Sequence, residues 1–193
     1  MKVFKGFTKD LTATYGEGVF HYEVGKKYKE EQSKTRRTGF HSAEYILDCM
    51  NWYGLERGNR FFLCEAEGSL DEEDGCSMVV STELTLLKEL SLLEIAGYAM
   101  SYIVAHPKRA WEARYEKIEV NRDKAEATDG NLIAIARGGH PVVIGEKGTI
   151  IGLILDDSEG NPIAARVCKV AGFVKPNVKY TLTEDRKLEE IEK

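Results

Sequence analysis

Residues 130–156 read GNLIAIARG (130–138), GHPVVIGEK (139–147) and GTIIGLILD (148–156), three consecutive blocks of nine that each open on glycine. Every block places branched or apolar side chains at its fourth and sixth positions: Ile133 and Ile135, Val142 and Ile144, Ile151 and Leu153. Side chains two apart on a strand share a face, and an opening glycine admits a tight corner, so the pairs can stack in one column as a short β-solenoid or roll. A meander of three strands with glycine turns satisfies the same pattern. Calcium is not expected, because the blocks lack the aspartates of the metal-binding nonapeptide. Alternation continues over 164–170 and 178–182, and from Glu184 the charged end reads as a frayed tail.

Upstream, the pattern is mixed. Residues 3–7 and 19–24 are rich in β-branched and aromatic side chains and are separated by Gly16 and Gly18, as in strands joined by a turn. Ser42 is placed to cap a helix over 42–53, with Ala43, Ile46, Leu47, Met50 and Tyr53 at helical spacing and Gly54 as its stop. Strands are expected over 60–67 and 78–86, around an acidic turn at 71–75. A second helix begins at Ser91, carries Leu92, Ile95, Ala96, Ala99, Tyr102 and Ile103 on one side, and stops where His106 precedes Pro107. The expected fold is therefore α+β: a mixed domain of short strands and two helices (1–105), a connector (106–124), a β-rich repeat unit (125–183) and a charged tail (184–193).

Composition bounds the function classes. A chain of 193 residues, 42% apolar and 31% charged with four prolines, has a globular make-up and is long enough for a core without staples. The net charge of −5 argues against a dedicated nucleic-acid scaffold and is too mild for a whole-molecule DNA mimic. The apolar run 92–105 is too short to span a bilayer, so no membrane role is expected. Cys49, Cys64, Cys76 and Cys168 form no C-x-x-C pair and no hydrophobic leader precedes Lys2, which points to reduced thiols in a cytoplasm. His21, His41, His106 and His140 show no paired spacing, so no metal is expected.

Charge is unevenly spread: residues 1–40 carry nine basic and five acidic side chains, residues 41–94 three and twelve. Lys26, Lys27, Lys29, Lys34, Arg36 and Arg37 form a basic ribbon ahead of the acidic stretch. Such a ribbon steers an acidic partner, either a protein or the phosphates of a nucleic acid.

Several short motifs resemble an uncharacterised domain of phage and prophage proteins: Lys5-Gly6-Phe7, Lys9-Asp10-Leu11, Tyr22-Glu23-Val24-Gly25-Lys26, Gly39-Phe40-His41, Leu47-Asp48 with Tyr53, and Glu89-Leu90-Ser91-Leu92. Members often continue into Gly/Ala-rich repeats and end in a segment similar to Val170, Lys175-Pro176, Tyr180 and Leu182. Where the family often has cysteines around Gly-Phe-His, this chain has Arg36 and Ala43, so thiol or zinc chemistry does not carry over. The resemblance supplies no established activity; a phage-type cytoplasmic chain with a basic ribbon and no catalytic constellation is expected, by analogy with phage accessory proteins, to bind a host protein or ribonucleoprotein, as an anti-CRISPR or other anti-defence inhibitor does, with no cofactor, and the β-rich unit allows oligomerisation. A second resemblance is to the NAD pocket of ADP-ribosyltransferases, in the order Gly39-Phe40-His41, Tyr53, then a strand with Glu65 and Glu67; it implies catalysis by His41, Tyr53, Glu65 and Glu67 with NAD as co-substrate. A phage structural or tail-associated role is the third expectation.

Overall fold

The computed structural model describes residues 1–14, 19–34, 37–72 and 76–191. It is strand-rich, with 51% of residues in strands and 12% helical, which overturns the expected α+β class. Among the described residues one α-helix is present, α1 (Leu92–Ala105). Two compact units divide the chain, Met1–Leu90 and Ser91–Lys193, so α1 belongs to the second. No helix among the described residues is long and apolar enough to cross a membrane.

The first unit contains β1 (Lys2–Phe7), β2 (Thr12–Ala13), β3 (Phe20–His21), β4 (Lys27–Lys29), β5 (Phe40–Ala43), β6 (Arg60–Glu72) and β7 (Met78–Glu89). β6 and β7 form a long antiparallel hairpin, β1 pairs with β6, and β5 pairs with both β1 and β7, so four strands close into a small barrel. Closure satisfies the ladder on both sides of each strand. β4 pairs with β7 beyond β5, and β2 and β3 form a separate two-stranded ribbon. Val3 and Phe7, Phe62, Cys64 and Ala66, Leu84 and Leu86 gather with Tyr22 and Phe40 in one core, as the period of two on each strand requires.

The helix expected over 42–53 is replaced by strand β5 and a 3-10 helix, Ile46–Asn51. The Ser42 hydroxyl, which would have capped the helix, instead donates to Val79 O at 3.0 Å. β5 is the strand that joins β1 to β7, and the two ladders it completes outweigh one cap, which is worth about 1 kcal/mol. The helical spacing of Ile46, Leu47 and Met50 is met by the 3-10 turns, which bury all three.

The second unit contains α1 and β8 (Ala113–Tyr115), β9 (Ile118–Ala127), β10 (Ile133–Gly145), β11 (Ile150–Asp156), β12 (Pro162–Lys169), β13 (Lys179–Leu182) and β14 (Leu188–Ile191). β9, β10 and β11 run parallel, with Ile118, Ile133 and Ile150 in register. This replaces the nine-residue repeat: Ile133 and Val142 lie on the same strand, and Ile133 faces Ile150 and not Ile151. The pairing of β10 with β9 shifts between Arg137 and Val142, where Gly138 and Gly139 sit, so the glycine pair bends one strand instead of separating two rungs. Beyond the bend, Val143 pairs with Ala125 and Tyr180. Ala134, Ala136, Ile151, Leu153 and Leu155 then share a core with Ala125, Ala127, Val143, Tyr180 and Leu182. The alternate residues Ile133, Ile135 and Ile154 lie on the opposite face, against which α1 packs with Ile95, Ala96, Ala99, Met100 and Ile103. Gly152 makes this possible, since a Cβ there would stand 2.5 Å from Met100 Sδ. α1 opens on a capping box in which Ser91 and Glu94 satisfy each other's backbone amides.

Candidate functional site

An aromatic column runs from the barrel core of the first unit to its surface. Phe7 meets Phe62 edge-on at 5.6 Å and Tyr22 at 4.9 Å; Tyr22 meets Tyr28 at 5.0 Å and Phe20 at 4.8 Å. Phe20 also contacts Tyr28 at 5.4 Å and Phe40 at 6.2 Å. Tilted and edge-on pairs at these separations are the favourable arrangements of aromatic quadrupoles. The column ends in the open: Phe20 is 43% exposed, and its neighbours in sequence Val19 and Val24 are 61% and 53% exposed. The Tyr28 hydroxyl accepts from Glu23 N at 2.7 Å and Lys26 Nζ lies 5.4 Å from the Tyr28 ring, which ties the segment 23–28 to the column.

The basic ribbon borders this mouth as part of a mixed-charge network. Lys27 bonds Glu67 at 2.7 Å and Glu83 at 3.0 Å, Lys29 bonds Glu83 at 2.8 Å, and Lys26 bonds Glu23 at 2.7 Å. Hydrogen bonds from Lys29 and Lys27 hold the Glu83 carboxyl below its ordinary range, and those to Glu67 and Glu83 raise Lys27. Lys34 forms an isolated bridge with Thr38, and Arg37 N donates to Lys34 O. Arg36 lies outside the described residues.

Lys5 stands between Val3 and Phe7 on β1 and is half-buried beside the column. Its ammonium donates to His41 O at 2.6 Å and sits 5.7 and 5.9 Å from the Phe7 and Tyr22 rings. Loss of hydration lowers its pKa, a cost that cation–π attraction offsets in part. Burial, with the Lys5 charge, also lowers His41, whose Nδ1 lies 3.2 Å from Gly39 O. Cys49 and Cys64 are pushed up to about 12 by burial, so both are protonated core thiols at neutral pH.

A lysine with a lowered folded pKa makes the fold pay for its charge below that pKa, and the cost vanishes above 10.5, where neither state is charged. Relative to Lys5→Met, the wild-type chain is therefore expected to gain stability as pH rises. Urea unfolding of both proteins at about pH 7 and about pH 10 reads this difference; a pH-independent gap contradicts it.

Each of the four residues of the ADP-ribosyltransferase resemblance has a partner outside that set. His41 bonds Gly39 O, the Tyr53 hydroxyl accepts from Thr14 N at 3.1 Å, Glu65 pairs with Lys2 at 3.3 Å, and Glu67 with Lys27. Glu65 and Glu67 alternate with the inward Cys64 and Ala66 and so point outward from β6. Among the described residues no group of three or more His, Cys, Asp or Glu side chains is placed to hold a metal. The mouth residues Phe20, Val19 and Val24 were missed as a site, because an apolar stretch after glycines reads as an ordinary strand; only Phe20–His21 is paired as one.

Residues 1–97 match the model of a family described as a domain of unknown function, DUF7666. The chain belongs to this family. The match spans the whole barrel unit, including Lys5-Gly6-Phe7 and Gly39-Phe40-His41, and ends within α1. No curated protein and no solved structure matches the chain.

Proposed function

We propose that the chain is a binding module whose partner is a macromolecule docked on the aromatic mouth of the DUF7666 unit. The observation that carries this reading is Phe20, 43% exposed yet in contact with three other rings. A ring already fixed in orientation loses little conformational entropy on binding, and aromatic side chains dominate interface energetics. Exposed Val19 and Val24 widen the apolar centre, and Lys26, Lys27 and Lys29 supply a polar rim, the anatomy of a protein interface.

The charge pairing favours a protein over a nucleic acid. Phosphate binding uses cations to neutralise phosphates, whereas Lys27 is already paired with Glu67 and Glu83, and Lys29 with Glu83. The resemblance to phage and prophage domains supports a narrower reading by analogy: an accessory protein of a mobile element that occupies a host protein or ribonucleoprotein in the bacterial cytoplasm, as anti-CRISPR and other anti-defence inhibitors do.

A bait pull-down from host lysate with mass spectrometry identifies the partner. Phe20→Ala is then expected to weaken binding by about 2 kcal/mol, roughly thirtyfold, the scale of an interface hot spot. Wild-type affinity in Phe20→Ala, with the melting temperature retained, rejects the proposal.

A further inference from the structure

The loop joining β12 to β13, in the second unit, holds a phenylalanine away from every neighbour. Phe173 is 101% exposed. The loop around it is built: Val174 N donates to Ala171 O at 3.2 Å, Lys175 N to the Tyr180 hydroxyl at 2.8 Å, and Asn177 N to Gly145 O at 2.9 Å. Val174 and Val178 pack against the core beneath. An apolar ring presented on a hydrogen-bonded loop pays its ordering cost at folding and not at binding.

The electrostatic setting is distinct from that of the whole chain. From Pro162 to Leu182 there are four basic residues, Arg166, Lys169, Lys175 and Lys179, and no aspartate or glutamate, in a chain of net charge −5. Gly148 N donates to Val170 O, which brings the turn bearing Glu146 and Lys147 beside the loop, so the surroundings stay net basic with three exposed lysines and Lys175 against Glu146 and Glu190. Lys175 pairs with Glu190 at 2.8 Å, while Lys147, Lys169 and Lys179 are exposed and make no ion pair among the described residues.

We propose that the Phe173 loop is a docking point, independent of the aromatic mouth, whose ring enters an apolar pocket on a protein partner with carboxylates at its rim. A protein pocket needs one well-placed anchor. A lipid surface binds in proportion to buried apolar area, and one ring supplies little of it. Single-stranded nucleic acid is held by successive aromatic platforms along the strand, and this loop has one ring.

The test replaces Phe173 in the full chain by the photo-crosslinker p-benzoylphenylalanine, irradiates it in bacterial lysate, and purifies the protein that is captured. Affinity for that protein is then measured with wild type, Phe173→Ala, Phe173→Trp and the double charge reversal Lys169→Glu with Lys179→Glu. Phosphatidylcholine vesicles carrying roughly a quarter phosphatidylserine, and an oligothymidine, are run as further probes. Phe173→Ala is expected to lose about tenfold or more in affinity at unchanged melting temperature, since the ring touches nothing in the free chain. Phe173→Trp should bind nearly as well as wild type, and the charge reversal should slow association, most at low salt. Equal affinity for Phe173→Ala, the absence of a specific adduct, or Phe173-dependent binding to vesicles or oligothymidine overturns the proposal.

Discussion

Arg137→Ala is expected to destabilise the second unit by about 3–5 kcal/mol, the usual result of removing one partner from a buried ion pair. Arg137 is 2% exposed, and its Nε bonds both oxygens of Asp156 at 3.0 and 2.8 Å. Its two other nitrogens donate to Pro107 O at 3.1 Å and Gly160 O at 2.9 Å, and the guanidinium lies 5.1 Å from the Trp111 ring. One side chain thus ties β10, the end of β11, the turn after it and the segment following α1. Truncation leaves a carboxylate and two carbonyls without their donor. Burial already pushes the Asp156 carboxyl up, against the pull of Arg137, so in Arg137→Ala the proton should be taken up at a still higher pH. The penalty should therefore shrink as pH falls and Asp156 becomes neutral. Urea unfolding followed by the fluorescence of Trp111, which is 7% exposed, in a Trp52→Phe background measures both effects. Converting Arg137 and Asp156 together to leucine should recover much of the loss, because well-packed apolar pairs often replace buried ion pairs at no cost. A loss below about 1 kcal/mol would show the network to be solvated in solution.

Gly39→Ala is expected to cost the barrel unit about 3 kcal/mol or more, from backbone strain and steric overlap together. Gly39 has φ +93°, and a Cβ there would stand 2.8 Å from Val80 Cγ1, 3.0 Å from Ser33 Cα and 3.0 Å from Ser81 O. Two of those atoms belong to the backbone and cannot swing away. The position also organises its surroundings, since Gly39 N donates to Glu30 Oε2 at 2.9 Å and its carbonyl meets His41 Nδ1. Gly-Phe-His is thereby explained by strand packing: glycine for the close approach, Phe40 for the core, His41 for the next turn of the ladder. Gly139→Ala provides the contrast, with nothing within 4 Å of its Cβ and a φ outside the left-handed region, and should stay within about 0.5 kcal/mol of wild type. Equal melting temperatures for Gly39→Ala and Gly139→Ala would refute this account.

Signals confined to a few neighbouring residues were legible in the sequence. The start of α1 at Ser91 and its stop before Pro107 were readable, as were strands over 3–7, 60–67 and 78–86, whose inward faces carry Val3 and Phe7, Phe62 and Cys64, Leu84 and Leu86. These are read within one turn or one pleat, where spacing alone sets which side chains meet. The mouth was half legible: the lysines stood out as a run and Lys26 pairs locally with Glu23, but the carboxylates that pair with Lys27 and Lys29 come from β6 and β7, dozens of residues away.

Tertiary structure decided the rest, wherever two segments competed for the same groups. Ser42 could cap a helix or bond Val79 O, and closing the barrel settled it because a strand there completes two ladders. The nine-residue glycine period could make solenoid rungs or meander turns; the parallel register of Ile118, Ile133 and Ile150 gives neither, and Gly138-Gly139 bends a single strand. Nothing local marks Arg137 as buried; Asp156, Pro107, Gly160 and Trp111, all distant in sequence, converge on it. Local sequence determined which residues can form a helix cap or a strand face. Long-range pairing determined which of those options was taken, because only the folded chain brings together the partners whose hydrogen bonds and buried area outweigh the local preference.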